Sequence, residues 1–251
     1  MSAVKFCGVI RIYGEFRTKL VIPRYISGIG ELEKDIDQSL KFNVNRILNY
    51  PVAEIISDGE FTYFKQKTLT DFEYGVVFLT KKYDGYYDIY YDIVTNKDDE
   101  NYIEYAKKRL NSFADYGYDN LLIEHIKWWK KYWQKSDIDI ADKELEKQYY
   151  LSYYYFASTS RKGYYPMPLQ GVWTADNDSL PPWKGDYHHD TNTQLSYQSF
   201  LKANRLDEGR VFVDYLWEQR NSYKEFARKF HKVKGLLIPG VSTINGKPMG
   251  G

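Results

Sequence analysis

The chain reads as a multi-domain α+β protein in which part of an antiparallel β-sandwich is followed by paired helices. Three observations predict this. Residues 1–95 are rich in Val, Ile, Tyr and Phe, interrupted by Gly, Pro, Asn and Asp. From Asp99 onward the apolar spacing changes from two to three and four. Four of the eight prolines then fall at 166, 168, 181 and 182, where helical spacing disappears before it resumes.

Taken in order, the segments predicted as strands are Val4–Tyr13, Phe16–Arg24, Lys41–Leu48, Phe61–Thr68, Val76–Lys82 and Tyr86–Val94. In the last, Tyr86, Asp88, Tyr90 and Asp92 alternate with Tyr87, Ile89, Tyr91 and Ile93, the period of a half-buried strand. The polar run Thr95–Glu100 closes this region. A helix is predicted from Asp99 to Ala114. A second, Tyr118–Gln134, places Leu122, Ile126, Trp129 and Trp133 on one stripe. A third, Asp142–Ser160, aligns Leu145, Tyr149, Tyr153 and Phe156, with Asp142 as its N-cap. Helical spacing returns over His188–Ala203. It continues over Asp207–His231, where Phe212, Tyr215, Gln219, Tyr223, Phe226 and Phe230 line up. The aromatic stripes read as helix–helix packing surfaces, and successive helices joined by loops predict an all-α toroid or bundle.

Composition narrows the function classes. Net charge is +1, from 35 basic and 34 acidic residues, which gives no reason to expect nucleic acid or an anionic membrane as partner. Lys127, Lys130 and Lys131 read as the solvated face of a helix. No stretch approaches the ~18 apolar residues of a membrane span. One cysteine, Cys7, rules out an intrachain disulfide. The aromatic content of 18% is high, with 26 Tyr and 6 Trp. Flat rings with polar edges suit the C–H faces and hydroxyls of a sugar, and they fill cores equally well.

The chemistry concentrates in Leu169–Tyr197, LQGVWTADNDSLPPWKGDYHHDTNTQLSY. Trp173 and Trp183 either stack on a pyranose ring or plug the loop against the helices. Asp186, Tyr187, His188 and Gln194 supply groups able to hold sugar hydroxyls. Asp186 also fits the N-cap of the helix expected next. A metal at His188, His189 and Asp190 is disfavoured, because adjacent histidines point to different faces and no HExxH or Cys-rich frame accompanies them. Neither a Ser/His/Asp triad nor a phosphate-binding glycine loop is present in the sequence.

Leu169-Gln170-Gly171-Val172-Trp173, then Pro182-Trp183, then Asp186-Tyr187-His188-His189-Asp190-Thr191-Asn192 resembles the loop of glycoside hydrolase family 95, the inverting α-L-fucosidases. The resemblance extends over Gly117–Gly251. It implies an N-terminal β-sandwich, a helical linker and an (α/α)6 barrel, here 1–95, 96–140 and 141–251. The barrel is expected to be cut short, leaving the general acid and the remainder of the catalytic domain beyond Gly251. By resemblance, Asp190 and Asn192 are the catalytic pair that positions the attacking water. The substrate implied is a glycan with an α-linked terminal sugar, hydrolysed without a cofactor. Asp190 stands where such fucosidases commonly have Asn, and Gln194-Leu195-Ser196-Tyr197-Gln198 departs from the usual Glu-Met-Asn-Tyr-Trp. Those departures leave L-galactose open beside fucose. Another (α/α)6 glycosidase or phosphorylase and a non-catalytic carbohydrate-binding protein are the competing expectations.

Overall fold

The computed structural model describes residues 2–5, 7–22, 51–68, 70–171 and 185–249. The expected strand Lys41–Leu48 and both loop tryptophans, Trp173 and Trp183, lie outside them. The chain divides into two compact units, Met1–Tyr132 and Trp133–Gly251.

In the first unit, five strands form one antiparallel sheet. These are β1 (Gly8–Tyr13), β2 (Ile55–Asp58), β3 (Phe61–Lys67), β4 (Glu73–Lys82) and β5 (Tyr86–Thr95), in the order β1-β5-β4-β3-β2. The antiparallel sheet is as expected, and among the described residues it is a single sheet. β1 starts later than predicted. Ser2 Oγ accepts from the amides of Val4 and Lys5 at 3.3 and 3.2 Å, so the chain turns before it can pair. Within the predicted strand Phe16–Arg24, residues 16–22 carry no strand pairing. β2 was hidden beside the Asp58-Gly59 turn, where Gly59 takes φ +60 and Asp58 pairs with Phe61.

Helix α1 (Tyr102–Tyr116) packs on β4 and β5. Gly75 makes the close approach possible: a Cβ there would lie 2.6 Å from Ile103 Cδ1 and 2.8 Å from the Phe64 carbonyl. Val77, Leu79, Tyr90 and Val94 meet Ile103, Ala106 and Leu110 in one core, joined by Cys7 and by Leu121 of α2 (Tyr118–Trp133). Burial pushes the Cys7 thiol up to about 11, so it stays protonated. On β5 the face carrying the carboxylates is turned inward: Asp88 and Asp92 are buried while Ile93 is 63% exposed. Arg11 makes this tolerable. Its Nε and Nη2 donate to the two Asp88 oxygens at 2.7 and 2.8 Å. The guanidinium also lies between the rings of Tyr86 and Tyr118, 4.5 and 4.2 Å from their centroids. Asp92 faces Arg109 at 3.5 Å, and burial holds its carboxyl above the usual range. The stripe expected on α2 is corrected: Leu122 and Ile126 are exposed, and Leu121 and Tyr132 are the residues buried.

The second unit contains α3 (Lys143–Thr159), α4 (Asn192–Gln198), α5 (Leu206–Glu218) and α6 (Arg220–Phe226), with a π turn at Ala227–His231. Asp142 caps α3 as expected, its carboxylate accepting from the amides of Glu144 and Leu145. The predicted helix His188–Ala203 is shorter. Tyr187–His188 forms strand β6, paired with β7 (Val241–Ser242), and the helix begins only at Asn192. Asp186 is therefore not its N-cap. The predicted helix Asp207–His231 is two helices and a π turn, broken at Gln219, although Tyr215 and Tyr223 remain buried as the stripe required.

Tyr197 joins these parts. Its hydroxyl lies 2.6 Å from Ser160 Oγ and accepts from the Met167 amide at 2.9 Å, while its ring meets Phe156 and Phe212. Arg205, fully buried, donates from Nη2 to the Ser136 carbonyl at 3.0 Å and lies over the rings of Trp133 and Tyr153. His189 is buried in the same unit against Tyr187, Phe212 and Tyr215, and burial lowers its imidazole from 6.5 to about 4.

Two outcomes follow for stability. Arg11→Ala strands a buried Asp88 carboxylate and should lower the stability of the first unit by about 3 kcal/mol in urea unfolding. Lys143→Ala, which removes only exposed ion pairs, should leave the midpoint in place. Equal effects would contradict the assignment of Arg11. For His189 the unfolded state binds the proton more readily than the folded state between pH 6.5 and about 4. Its contribution is thus complete above pH 6.5 and disappears as pH falls through 4, on the order of 3 kcal/mol. His189→Gln should flatten the pH dependence of the urea midpoint across that window; an unchanged slope would show that the imidazole is not held neutral by burial.

Candidate functional site

The site is built on a two-stranded ribbon and the start of a helix. β6 and β7 pair antiparallel, Tyr187 with Ser242 and His188 with Val241. A tight return stabilises β7: Thr243 N–H donates to the Lys247 carbonyl and Met249 N–H to that of Val241. Gly246 supplies the positive φ of the turn, at +66. The Leu169 amide donates to the Asp186 carbonyl at 3.1 Å, fixing where β6 begins.

Strand alternation then sorts the DYHHD run. Tyr187 and His189 turn toward α5, their rings 5.6 Å apart and 6° from parallel, with Tyr215 5.0 Å from Tyr187. The Tyr187 hydroxyl donates to the Pro166 carbonyl at 2.9 Å, and burial holds its proton firmly in place. That placement makes Tyr187 a packing residue. Asp186 and His188 lie together instead, with Asp186 Oδ1 3.1 Å from His188 Nε2. His189 Nε2 is 3.0 Å from Ser242 Oγ. The adjacent histidines thus reach different partners. Among the described residues no cluster of three or more His, Cys, Asp or Glu side chains is able to hold a metal ion.

The chain leaves the ribbon at His189, whose amide donates to the Gly240 carbonyl at 2.7 Å. Asp190 and Thr191 form the turn, and α4 starts at Asn192. Gln194 holds that turn from within: its amide nitrogen donates to the carbonyls of His189 and Asp190 at 2.5 and 3.2 Å. Thr193 and Tyr197 face the core, and Asp190, Asn192 and Gln194 face out. The base of Asp190 rests over Gly240, where a Cβ would lie 3.7 Å from Asp190 Cβ. Among the described residues neither the Asp190 carboxylate nor the Asn192 amide is engaged by another side chain. An exposed carboxylate and an exposed carboxamide two residues apart, on a turn fixed at both ends, can orient a water molecule, and the carboxylate can take its proton.

A separate groove of about 440 Å³ is lined by Tyr149, Ser152, Tyr153 and Phe156 of α3 and by Ser196 and Ser199. It contains no carboxylate or imidazole for acid–base work. Residues 240–242 were not anticipated as part of the site. The signal was present in Val241–Lys247, where the Asn245-Gly246 pair between short segments marks a hairpin.

Residues 117–249, more than half of the chain, match the model of the glycosyl hydrolase family 95 catalytic domain. No curated protein matches the chain. The match spans α2 and the whole ribbon-and-helix site, including Asp190 and Asn192. The chain belongs to glycosyl hydrolase family 95 and is a glycosidase chain with a carbohydrate substrate.

Proposed function

We propose that the protein is an inverting, α-L-fucosidase-like exo-glycosidase in which Asp190 and Asn192 position the attacking water. The observation that carries this reading is their placement. Within a run whose neighbours Tyr187, His189 and Thr193 are buried, these two polar side chains are exposed together at the tip of the turn that opens α4. On this reading Asn192 fixes the water through its carboxamide, and Asp190 removes a proton as the water attacks the anomeric carbon. A carboxylic acid elsewhere in the catalytic domain, about 6.5–9.5 Å from the base, protonates the leaving oxygen. The reaction is then a single displacement and calls for no cofactor.

Asp186, His188 and Gln194 border the same turn and are assigned the sugar hydroxyls, with Tyr187 bracing them from the core. Trp173 and Trp183 are assigned stacking faces from their place in the sequence pattern. The domain reading keeps 1–95 as part of a β-sandwich, 96–140 as a helical linker and 141–251 as opening helices of an (α/α)6 barrel. Support for the last comes from the family match and from the successive helices α3 to α6. The departure at Asp190 from the Asn common in such fucosidases keeps L-galactose beside fucose as the terminal sugar.

Asp190→Asn keeps shape and removes basicity. In the active enzyme it should lower kcat by ~10²–10⁴-fold on an aryl α-L-fucoside or α-L-galactoside, with KM little changed. Asn192→Ala should also lower kcat. Near-normal kcat in both Asp190→Ala and Asn192→Ala would remove the pair from the mechanism. If Asp190→Asn alone retains wild-type turnover, the base lies elsewhere and Asp190 only orients water.

A further inference from the structure

We infer that His189 is the positioning residue for the Asp190–Asn192 turn, acting as a neutral imidazole that carries its proton on Nε2 and donates it to Ser242. The catalytic meaning of the turn rests on the function proposed above; the ring chemistry does not. Ser242 Oγ has one proton, and its neighbours are His189 Nε2 at 3.0 Å and the Thr243 carbonyl at 3.2 Å, which also accepts from the Gly246 amide and the Tyr215 hydroxyl. Either partner of the 3.0 Å contact between His189 Nε2 and Ser242 Oγ is able to donate, so the other ring nitrogen decides the tautomer. The opposite tautomer would place an N–H on Nδ1, which is buried without a hydrogen-bond partner among the described residues. A buried donor without an acceptor is costlier than an unfilled lone pair, so the bare Nδ1 selects the form with its proton on Nε2.

His189 is anchored in four ways at the residue immediately before Asp190. The ring stacks on Tyr187 at 6° and on Phe212 at 19°. Nε2 meets Ser242, the amide donates to Gly240, and the carbonyl accepts from Gln194. Few conformations of the turn satisfy all four together, so Asp190 and Asn192 project from a backbone whose direction is set by the ribbon. The ionisable groups around the ring are the neighbouring His188 and Asp190 and the tyrosines 187 and 215; burial keeps the ring neutral against Asp190, with His188 acting in the same direction as burial.

The test is nitrogen NMR of the chain labelled in its histidine rings and backbone amides. The wild type should show a protonated Nε2 and a bare Nδ1 at His189. Ser242→Ala, a small change that removes the acceptor, should redistribute the ring between tautomers and move the amide resonances of Asp190, Thr191 and Asn192. His189→Gln, whose side-chain amide restores a donor toward Ser242, should return those resonances closer to wild type than His189→Phe, which keeps only a ring. A proton on Nδ1 in the wild type overturns the proposal, as does a Ser242→Ala spectrum with residues 190–192 unmoved. Should Ser242→Ala fail to fold, the comparison of the Gln and Phe variants decides it. Inactivity traced to Asp190 would bear on the proposed reaction and leave the ring result as measured.

Discussion

The candidate site depends on one packing constraint: Tyr187 at the start of β6 and His189 immediately after it both enter an aromatic core. Tyr215 and Phe212 of α5 receive them, and Phe212 also stacks on Tyr197 of α4 at 4.9 Å. Because strand side chains alternate, seating these two fixes Asp186 and His188 on the other side. The hydrogen bond from the His189 amide to Gly240 then ends the ribbon and leaves Asp190 at its tip. Apolar burial thereby sets the direction of the exposed Asp190, while Asp186 on the other side is itself buried.

The first unit solves a different problem with related means. Its strand β5, between β1 and β4, turns carboxylates into the core, which costs desolvation unless a cation accompanies them. Arg11 provides both halves of the answer, a two-point contact with Asp88 and a planar cation between two tyrosine rings. High tyrosine content therefore has a structural use throughout the molecule, in the Arg11 sandwich, the Tyr197 junction and the Tyr187–His189 stack. Part of the aromatic excess that suggested sugar binding is core, as with the buried Tyr90, Tyr187, Tyr197 and Tyr215.

How much was legible in the sequence follows the range of the interactions. Strands β3, β4 and β5 and helices α1 to α3 were readable, because alternation, three–four spacing and the Asp142 cap are local. Which face of β5 is buried was not, since its partner Arg11 lies 77 residues away. β6 was missed for the same reason: a two-residue strand has no period, and its pairing partner is Val241–Ser242. The break at Gln219 left Tyr215 and Tyr223 buried on either side of it, so the stripe concealed it, although Phe230 at the end of that stripe is 69% exposed. The candidate pair at Asp190 and Asn192 came from resemblance in an ordered motif. What positions it came from contacts more than fifty residues away, as with His189 and Ser242.

The central claim is that this family 95 chain contributes the water-positioning face of an inverting displacement. The most direct measurement is the anomeric configuration of the first sugar released from an aryl α-L-fucoside, followed by proton NMR before mutarotation. Attack by a water held at Asp190 and Asn192 on the face opposite the leaving group predicts β-L-fucose first. Initial release of α-L-fucose would mean a covalent intermediate and a nucleophile in place of a positioned water, and would contradict the account.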